Sequence, residues 1–480
     1  MTWLLTIPCA IIVFIAILVL RAIGFKPPRP LTGRETGDAV EFDRDAAVAR
    51  FAKMIRCKTV SYKDERLEER EEFDKFIALL AELYPNVHKT CAVEKMGRSG
   101  ILFSLKGKSD AAPVVFMSHY DVVPADEASW DNPAFEGVIK DGELWGRGTL
   151  DTKATLCGVM EAAETLISQG FVPDNDLYFS FSGDEEVFGP TAPAMVAELK
   201  KRGIRPAMTL DEGGAVVSGV FPGVTRPCAL VGTAEKGMLV AELTAESRGG
   251  HASMPPPHTS VGVLARAVTR IEGRPFKRRL TPPVATMFDT LGRHSTLIYK
   301  LVIANLWCFL PVLDKVFRRS GGEMNAMLRT TCAFTMMEGS SASNVLPPLA
   351  KVSANIRLIG GDTPGGAVEY MKLAAGDDDV GYGVVYGMDP SPDSPANGAG
   401  WDALKDAIAL TWPGAIITPY LMFACSDSRH YCDICERVYR FSAMTLTKEQ
   451  RATIHGHNER IPLESLGKVI EFYIRLMGKC

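Results

Sequence analysis

Apolar residues along the chain fall into three textures. From Trp3 to Leu20 the run WLLTIPCAIIVFIAILVL carries no charge and, at about 1.5 Å per helical residue, is long enough to cross the hydrocarbon of a bilayer. No basic stretch precedes it and no small-residue cleavage pattern follows, so it predicts a retained transmembrane anchor over residues 1–21. Pro27, Pro28 and Pro30 stiffen a linker over 22–42. Beyond it, short apolar runs alternate with helical stripes. PVVFMSHYDVV, LYFSFSGDEEV and AMTLDEGG read as strands that deliver polar residues at their ends, while ATLCGVMEAAETLISQG and APAMVAELKKRG read as helices that stop at glycine. From about Glu235 the period becomes two: KGMLVAELTAE, KVSANIRLIG and VGYGVVYG predict strands, with SVGVLARAVTRIEG and PGGAVEYMKLAAG as helices between them. WDALKDAIALTWPG and LESLGKVIEFYIRLMG then return to helical texture.

These patterns predict an α/β protein. Its main domain, residues 43–235 and 390–480, has a mostly parallel sheet with helices on both faces. An α+β domain with an antiparallel sheet is inserted over 236–389, and an apolar helix leads the chain. Within the insertion, residues 276–330 form a hydrophobic helical insert. Its stretch LVIANLWCFLPVL, Leu301 to Leu313, is interrupted by Asn305 and Pro311 and is short for a span, so it predicts a buried helix. Arg278, Arg279, Arg293, Lys315, Arg318 and Arg319 give it basic flanks, which leaves contact with lipid or an acyl chain open.

Composition narrows the classes. A hydrophobic share of 46% over 480 residues supports one or two large cores and excludes a disordered chain. A formal charge of -4 and a pI near 6.1 leave no basic footprint, so nucleic acid is not an expected partner. Eleven irregularly spaced cysteines suit a reduced compartment. Cys425, Cys432 and Cys435 come close together, but with no fourth ligand nearby they read as core thiols. Arg21, Lys26 and Arg29 follow the apolar span and nothing positive precedes it. The positive-inside rule then predicts that the folded part faces the cytoplasm.

Candidate chemistry sits where strands end. His119, Asp151, Glu186, Asp211 and His455 offer two imidazoles and three carboxylates, a set that suits a pair of divalent cations, and Glu185 beside them is free to handle a proton. The set points to a hydrolase. In SHYDVVPAD, Asp121 lies two residues after His119, on the same side of an extended strand, and can orient the imidazole; a buried pair that serves packing fits that segment equally well. In LWGRGTLDTKA the glycines let Asp151 turn into the end of the sheet, where a carboxylate can bridge two cations; a helix N-cap is its other reading. Glu185 and Glu186 follow the apolar strand LYFSFS directly, a placement costly for two acids unless cations offset them. Asp211 ends a strand next to Glu212, and IHGHNERI offers both His455 and His457, between which spacing does not choose.

SHYDVVP, GRGTLDTKA, SGDEEVFG, DEGG, GGHAS, SNVLPP and HGHNE occur in this order. On them the chain, from about Asp43 to its C-terminus, resembles the M20 family of dinuclear zinc aminoacylases and carboxypeptidases, nearest the carboxypeptidase S and N-fatty-acyl-amino-acid hydrolase branch. The resemblance implies a zinc held by His119, Asp151 and Asp211 and a second held by Asp151, Glu186 and His455, with cobalt or manganese as alternative ions. It prefers His455 to His457, because the family ligand lies three residues before the Asn of the NE pair, here Asn458. Glu185 resembles the family's general base. The inserted domain resembles the family's ferredoxin-like lid, which also serves dimerisation. There His251 would donate to an oxyanion, from the same chain or from a second subunit, and Asn344 and Arg357 would grip a substrate carboxylate. The substrate class implied is a peptide or an N-acyl amino acid, and the reaction is hydrolysis of an amide beside a free carboxylate. A silent relative that binds without cleaving is the other class; it would be expected to lack Glu185 or a ligand, and all are present.

Overall fold

Strands β1 (Ala92–Met96), β2 (Gly100–Leu105), β3 (Val114–His119), β4 (Leu177–Ser182), β5 (Met208–Val217) and β6 (Cys228–Glu235) precede the insertion. The insertion holds β7 (Gly237–Glu246), β8 (Thr331–Glu338), β9 (Leu349–Leu358) and β10 (Gly381–Met388), and β11 (Ile416–Met422) and β12 (Val438–Leu446) follow it. The computed structural model describes residues 3–28, 40–219 and 221–480, so Pro30 and most of the expected linker lie outside the described residues.

The main sheet has eight strands in the order β1-β2-β4-β3-β5-β12-β6-β11. β4, β3, β5 and β12 run parallel to one another, β6 is parallel to β11, and β1 and β2 attach antiparallel at the edge. This is the mixed, mostly parallel α/β arrangement that the alternating texture predicts. Successive strand residues face opposite ways. Phe103 and Phe116 therefore join Phe179, Leu210 and Tyr473 in one core, while Leu102, Val115 and Met117 join Met195 and Tyr431 in the other. Helices Lys153–Ser168 and Leu463–Met477 cover the first face, and Thr191–Lys201 covers the second.

The inserted unit has four antiparallel strands ordered β8-β9-β7-β10. Its helices Ser260–Gly273 and Pro364–Ala375 bury Leu264, Ile271 and Met371 against Leu239, Leu243 and Ile356. Each helix starts on a threonine N-cap, Thr259 and Thr363, whose hydroxyl accepts from Gly262 N and Gly366 N. The order of elements is βαββαβ, with the additional helices of the 276–330 region set between the first helix and β8. Those helices lean on the edge of the main sheet, where Val284, Met287, Phe288 and Leu291 pack with Cys228, Ile416 and Leu421.

The stretch 301–313 is not the single buried helix its apolar run predicts. Helices Leu297–Ile303 and Leu306–Ser320 meet at 105°, and Trp307 and Val312 are exposed. Asn305 explains the break: its amide donates to Leu301 O at 2.8 Å and to Leu18 O at 3.0 Å, a local alternative to continuing the helical ladder.

Candidate metal centre

The carboxyl ends of β3 and β4, together with the middle of β5, bring most of the expected residues into one cluster, near the position where a parallel sheet opens its sites. His119 is the last residue of β3, and Asp151 sits in the loop ahead of the Lys153–Ser168 helix. Glu185 and Glu186 lie in the short 3-10 turn Glu185–Val187 that follows β4. His455, in a loop near the chain's end, adopts a left-handed conformation with φ 58°.

Asp151 holds the centre of the cluster. Its Oδ1 is 3.1 Å from His119 Nε2 and its Oδ2 is 3.0 Å from His455 Nε2, so one carboxylate faces two imidazoles from opposite chain ends. His455 Nε2 is also 3.0 Å from Glu186 Oε2. Ligand atoms of His119, Asp151 and Glu186 lie within 4.8 Å of one another, and so do those of His119, Glu185 and Glu212.

Glu212, and not the expected Asp211, joins the ligand atoms around His119, 3.2 Å from its Nε2. β5 does not end at the acids but runs on to Val217, so neighbouring side chains take opposite faces of the sheet. Asp211 falls outside both groups of ligand atoms and accepts from Ser428 N at 3.0 Å. In the sequence Glu212 stands only as a neighbour of Asp211, and no local signal marks Asp427, a buried acid that accepts from Ser182 Oγ and is pushed up to about 8 by burial and by the nearby Asp211, Asp184 and Asp121.

Two further carboxylates fix the frame. Asp121 accepts from Ser61 Oγ at 2.7 Å, from Glu185 N at 3.2 Å and from Glu186 N at 3.1 Å, and its Oδ1 is 3.3 Å from His119 Nδ1. It thus ties the β3 end to the acidic turn. Glu459 is fully buried, pairs with Arg147 at 2.7 Å and accepts from the backbone N–H groups of Gly148, Leu150 and Asp151. Through it the C-terminal loop clamps the loop that presents Asp151.

The electrostatics describe a site with too much negative charge for its protein partners. Burial pushes Glu185 well above the usual carboxylate range, and Asp427, Glu212 and Glu186 add to the rise. Burial likewise raises Glu212 to about 8 and Glu186 above its ordinary value. Burial disfavours a charged His119, but Glu212, Asp121 and Asp151 outweigh it and hold the imidazole well above its usual range. Glu186 Oε1 is buried without a hydrogen-bond partner. Oxygen and imidazole donors, an orphaned carboxylate oxygen and acids crowded around two histidines fit divalent cations, which offset what the protein leaves unpaired.

The expected substrate residues lie on the inserted unit. His251 and Asn344 are exposed and adjacent: Gly250–His251 pairs with Val345–Leu346, and Ala252 N donates to Asn344 O at 3.0 Å. Arg357, near the end of β9, instead reaches the main domain, with Nη1 3.5 Å from Cys425 Sγ. All eleven cysteines, Cys425, Cys432 and Cys435 included, are free thiols.

A model of the family described as "Peptidase family M20/M25/M40" matches residues 115–479. Among curated proteins, "N-fatty-acyl-amino acid synthase/hydrolase PM20D1" of Xenopus tropicalis is 33% identical over 476 residues, covering 97% of this chain and 93% of that protein. "Probable carboxypeptidase S-like 2" of Dictyostelium discoideum is 32% identical, covering 96% of this chain and 91% of its own. Among solved structures, an M20 family metallo-carboxypeptidase from Sulfolobus solfataricus superposes with a TM-score of 0.66 at 15% identity, over 90% of this chain and 98% of that one. The fold is shared at that distance.

Proposed function

Because the chain belongs to peptidase family M20/M25/M40 and is thereby a metal-dependent hydrolase, we propose that it is a dinuclear zinc amidohydrolase that cleaves the amide joining a fatty acyl group to an amino acid with a free carboxylate. The observation that carries this reading is the shared Asp151, one oxygen toward His119 and the other toward His455, with Glu185 beside them. His119, Asp151 and Glu212 would hold one cation, and Asp151, Glu186 and His455 the other. Two cations bound there supply a Lewis acid for the scissile carbonyl and lower the pKa of attacking water toward neutrality. Glu185 takes the proton from that water and passes it to the leaving nitrogen. Asp121 keeps the His119 ring and the acidic turn in register. His251 and Asn344, exposed on the inserted unit acting as a lid, are suited to closing over substrate from the same chain or from a partner in a homodimer, and Arg357 to pairing with the substrate carboxylate.

The acyl-amino-acid reading draws on the relative at 33% identity, whose name carries that activity, and on the apolar helices of the 276–330 insert. In competition between N-oleoyl-phenylalanine and a blocked dipeptide, the acyl amino acid is expected to be consumed first; selective cleavage of the dipeptide would make the chain a carboxypeptidase. We further read the N-terminal helix as a single-pass membrane anchor that leaves the enzyme on the cytoplasmic side, on the strength of its hydropathy and of Arg21 and Lys26 at its end.

Two substitutions probe the ligand set. Glu212→Ala is expected to lower bound metal from two ions per chain toward one, whereas Asp211→Ala retains both ions and loses stability by about 1–3 kcal/mol for the Ser428 N–H it leaves unpaired; metal analysis and thermal melting separate the two. Asp121→Ala is expected to weaken metal affinity by about 10–100-fold, as the loss of a group that orients a ligand does. A titration against a competing chelator measures it.

A further inference from the structure

We propose that the helical pair Leu297–Ile303 and Leu306–Ser320 is a second membrane-seated element, dipping from the bilayer interface into the leaflet beside the N-terminal helix, so that the hydrolase is held against the lipid at two points. This rests on the anchor reading of the N-terminal helix and goes beyond it. The segment Ile7–Gly24 has a mean hydropathy of 2.6 and is only 11% buried. Its buried positions are Leu18 and Ala22, one turn apart on a single face, and that face meets the insert. Arg21 donates to Ala304 O at 3.1 and 3.3 Å, and Asn305 Nδ2 donates to Leu18 O at 3.0 Å. The rings of Phe14 and Trp307 meet edge to face at 6.1 Å.

The position of that last contact sets the depth. Phe14 precedes the helix end at Gly24 by ten residues, roughly 15 Å along the axis. Lipid that covers the anchor as far as Phe14 therefore covers Trp307 as well. The pair also exposes Leu297, Ile298, Val312 and Val316, with Ile298 at 76% and Trp307 at 61% of full exposure. Such side chains are costly to leave in water and suit the acyl boundary of a bilayer.

Charge follows the same division. The pair contains a single acidic residue, Asp314, and it is turned inward onto Arg329 and Arg278. Lys315, Arg318 and Arg319 stay exposed. The outward side thus carries apolar and positive groups and no carboxylate, the pattern that anionic headgroups attract. An N-acyl amino acid partitions into the same interface, so seating the enzyme there raises the substrate concentration it meets.

The full chain, reconstituted in phosphatidylcholine–phosphatidylserine vesicles carrying a photoactivatable phospholipid, is expected to take adducts on peptides from both Ile7–Gly24 and residues 297–320. Adducts on the N-terminal helix with none on 297–320 would overturn the proposal and leave the anchor standing; adducts on neither would remove both. The double variant Ile298→Glu, Val312→Glu alters exposed positions only. It should lose most of the labelling on 297–320, keep that on the N-terminal helix, and hydrolyse a water-soluble N-acetyl amino acid at the parent rate. Labelling of 297–320 that is undiminished in this variant also overturns the proposal.

Discussion

Glu185→Gln is expected to lower kcat by about 10²–10⁴-fold, the range general base catalysis contributes, while both metal ions stay bound. The substitution keeps volume and shape. What anchors the turn is the backbone: Glu185 N and Glu186 N donate to Asp121, and neither bond involves the Glu185 side chain. The amide therefore occupies the same buried place beside His119 and Glu212 but cannot accept a proton. Burial and the surrounding acids hold the native carboxyl well above its usual range, so the group is poised to take a proton once cations offset its neighbours. Melting temperature and metal content should match the parent's. A variant that keeps parental kcat takes the proton transfer away from Glu185, and one that loses a metal ion makes it a ligand instead.

How much of this was legible in the sequence depended on whether a strand shows two different faces. β7 and β9 alternate buried and partly exposed residues through much of their length, and their period of two announces them. The strands that carry the site are buried on both sides: every residue of β3 is buried, and so are those of β5 from Met208 to Asp211. Their apolar runs reveal a strand but not its phase, because alternation vanishes when neither face meets water. For that reason the local pattern could place an acid at β5 without telling Asp211 from Glu212. β12 is obscured differently, since Arg440 lies fully buried inside it, paired with Glu235, and a guanidinium interrupts the apolar reading. The clamp from Glu459 to the Asp151 loop joins residues separated by more than 300 positions. Nothing in the local sequence of either segment encodes that contact. The break at Asn305 was visible as an interruption, whereas its partner, a carbonyl of the N-terminal helix, belongs to tertiary packing.

Asp151→Ala is expected to abolish turnover, strip both metal ions and make the protein's stability indifferent to zinc. In the parent, ligand binding to the folded state alone adds stability as the free metal rises, about 4 kcal/mol at a thousandfold excess over Kd. Removing Asp151 takes away the one carboxylate that reaches both His119 and His455, so the donors split into two incomplete halves. Its loss also leaves His119 and His455 without the carboxylate oxygens they face at 3.1 and 3.0 Å, which is destabilising in its own right. The melting temperature of the variant should lie at or below that of the chelator-treated parent and should not rise on adding zinc, whereas the parent's falls with chelator and recovers. Asp151→Asn, which preserves packing and the backbone bond to Glu459, separates charge from shape: it too should lose the zinc-dependent rise, with less loss of intrinsic stability than the alanine variant. Recovery of the full zinc-dependent rise in either variant would mean that the two imidazoles gather cations without a bridging carboxylate, and the dinuclear reading would fail with it.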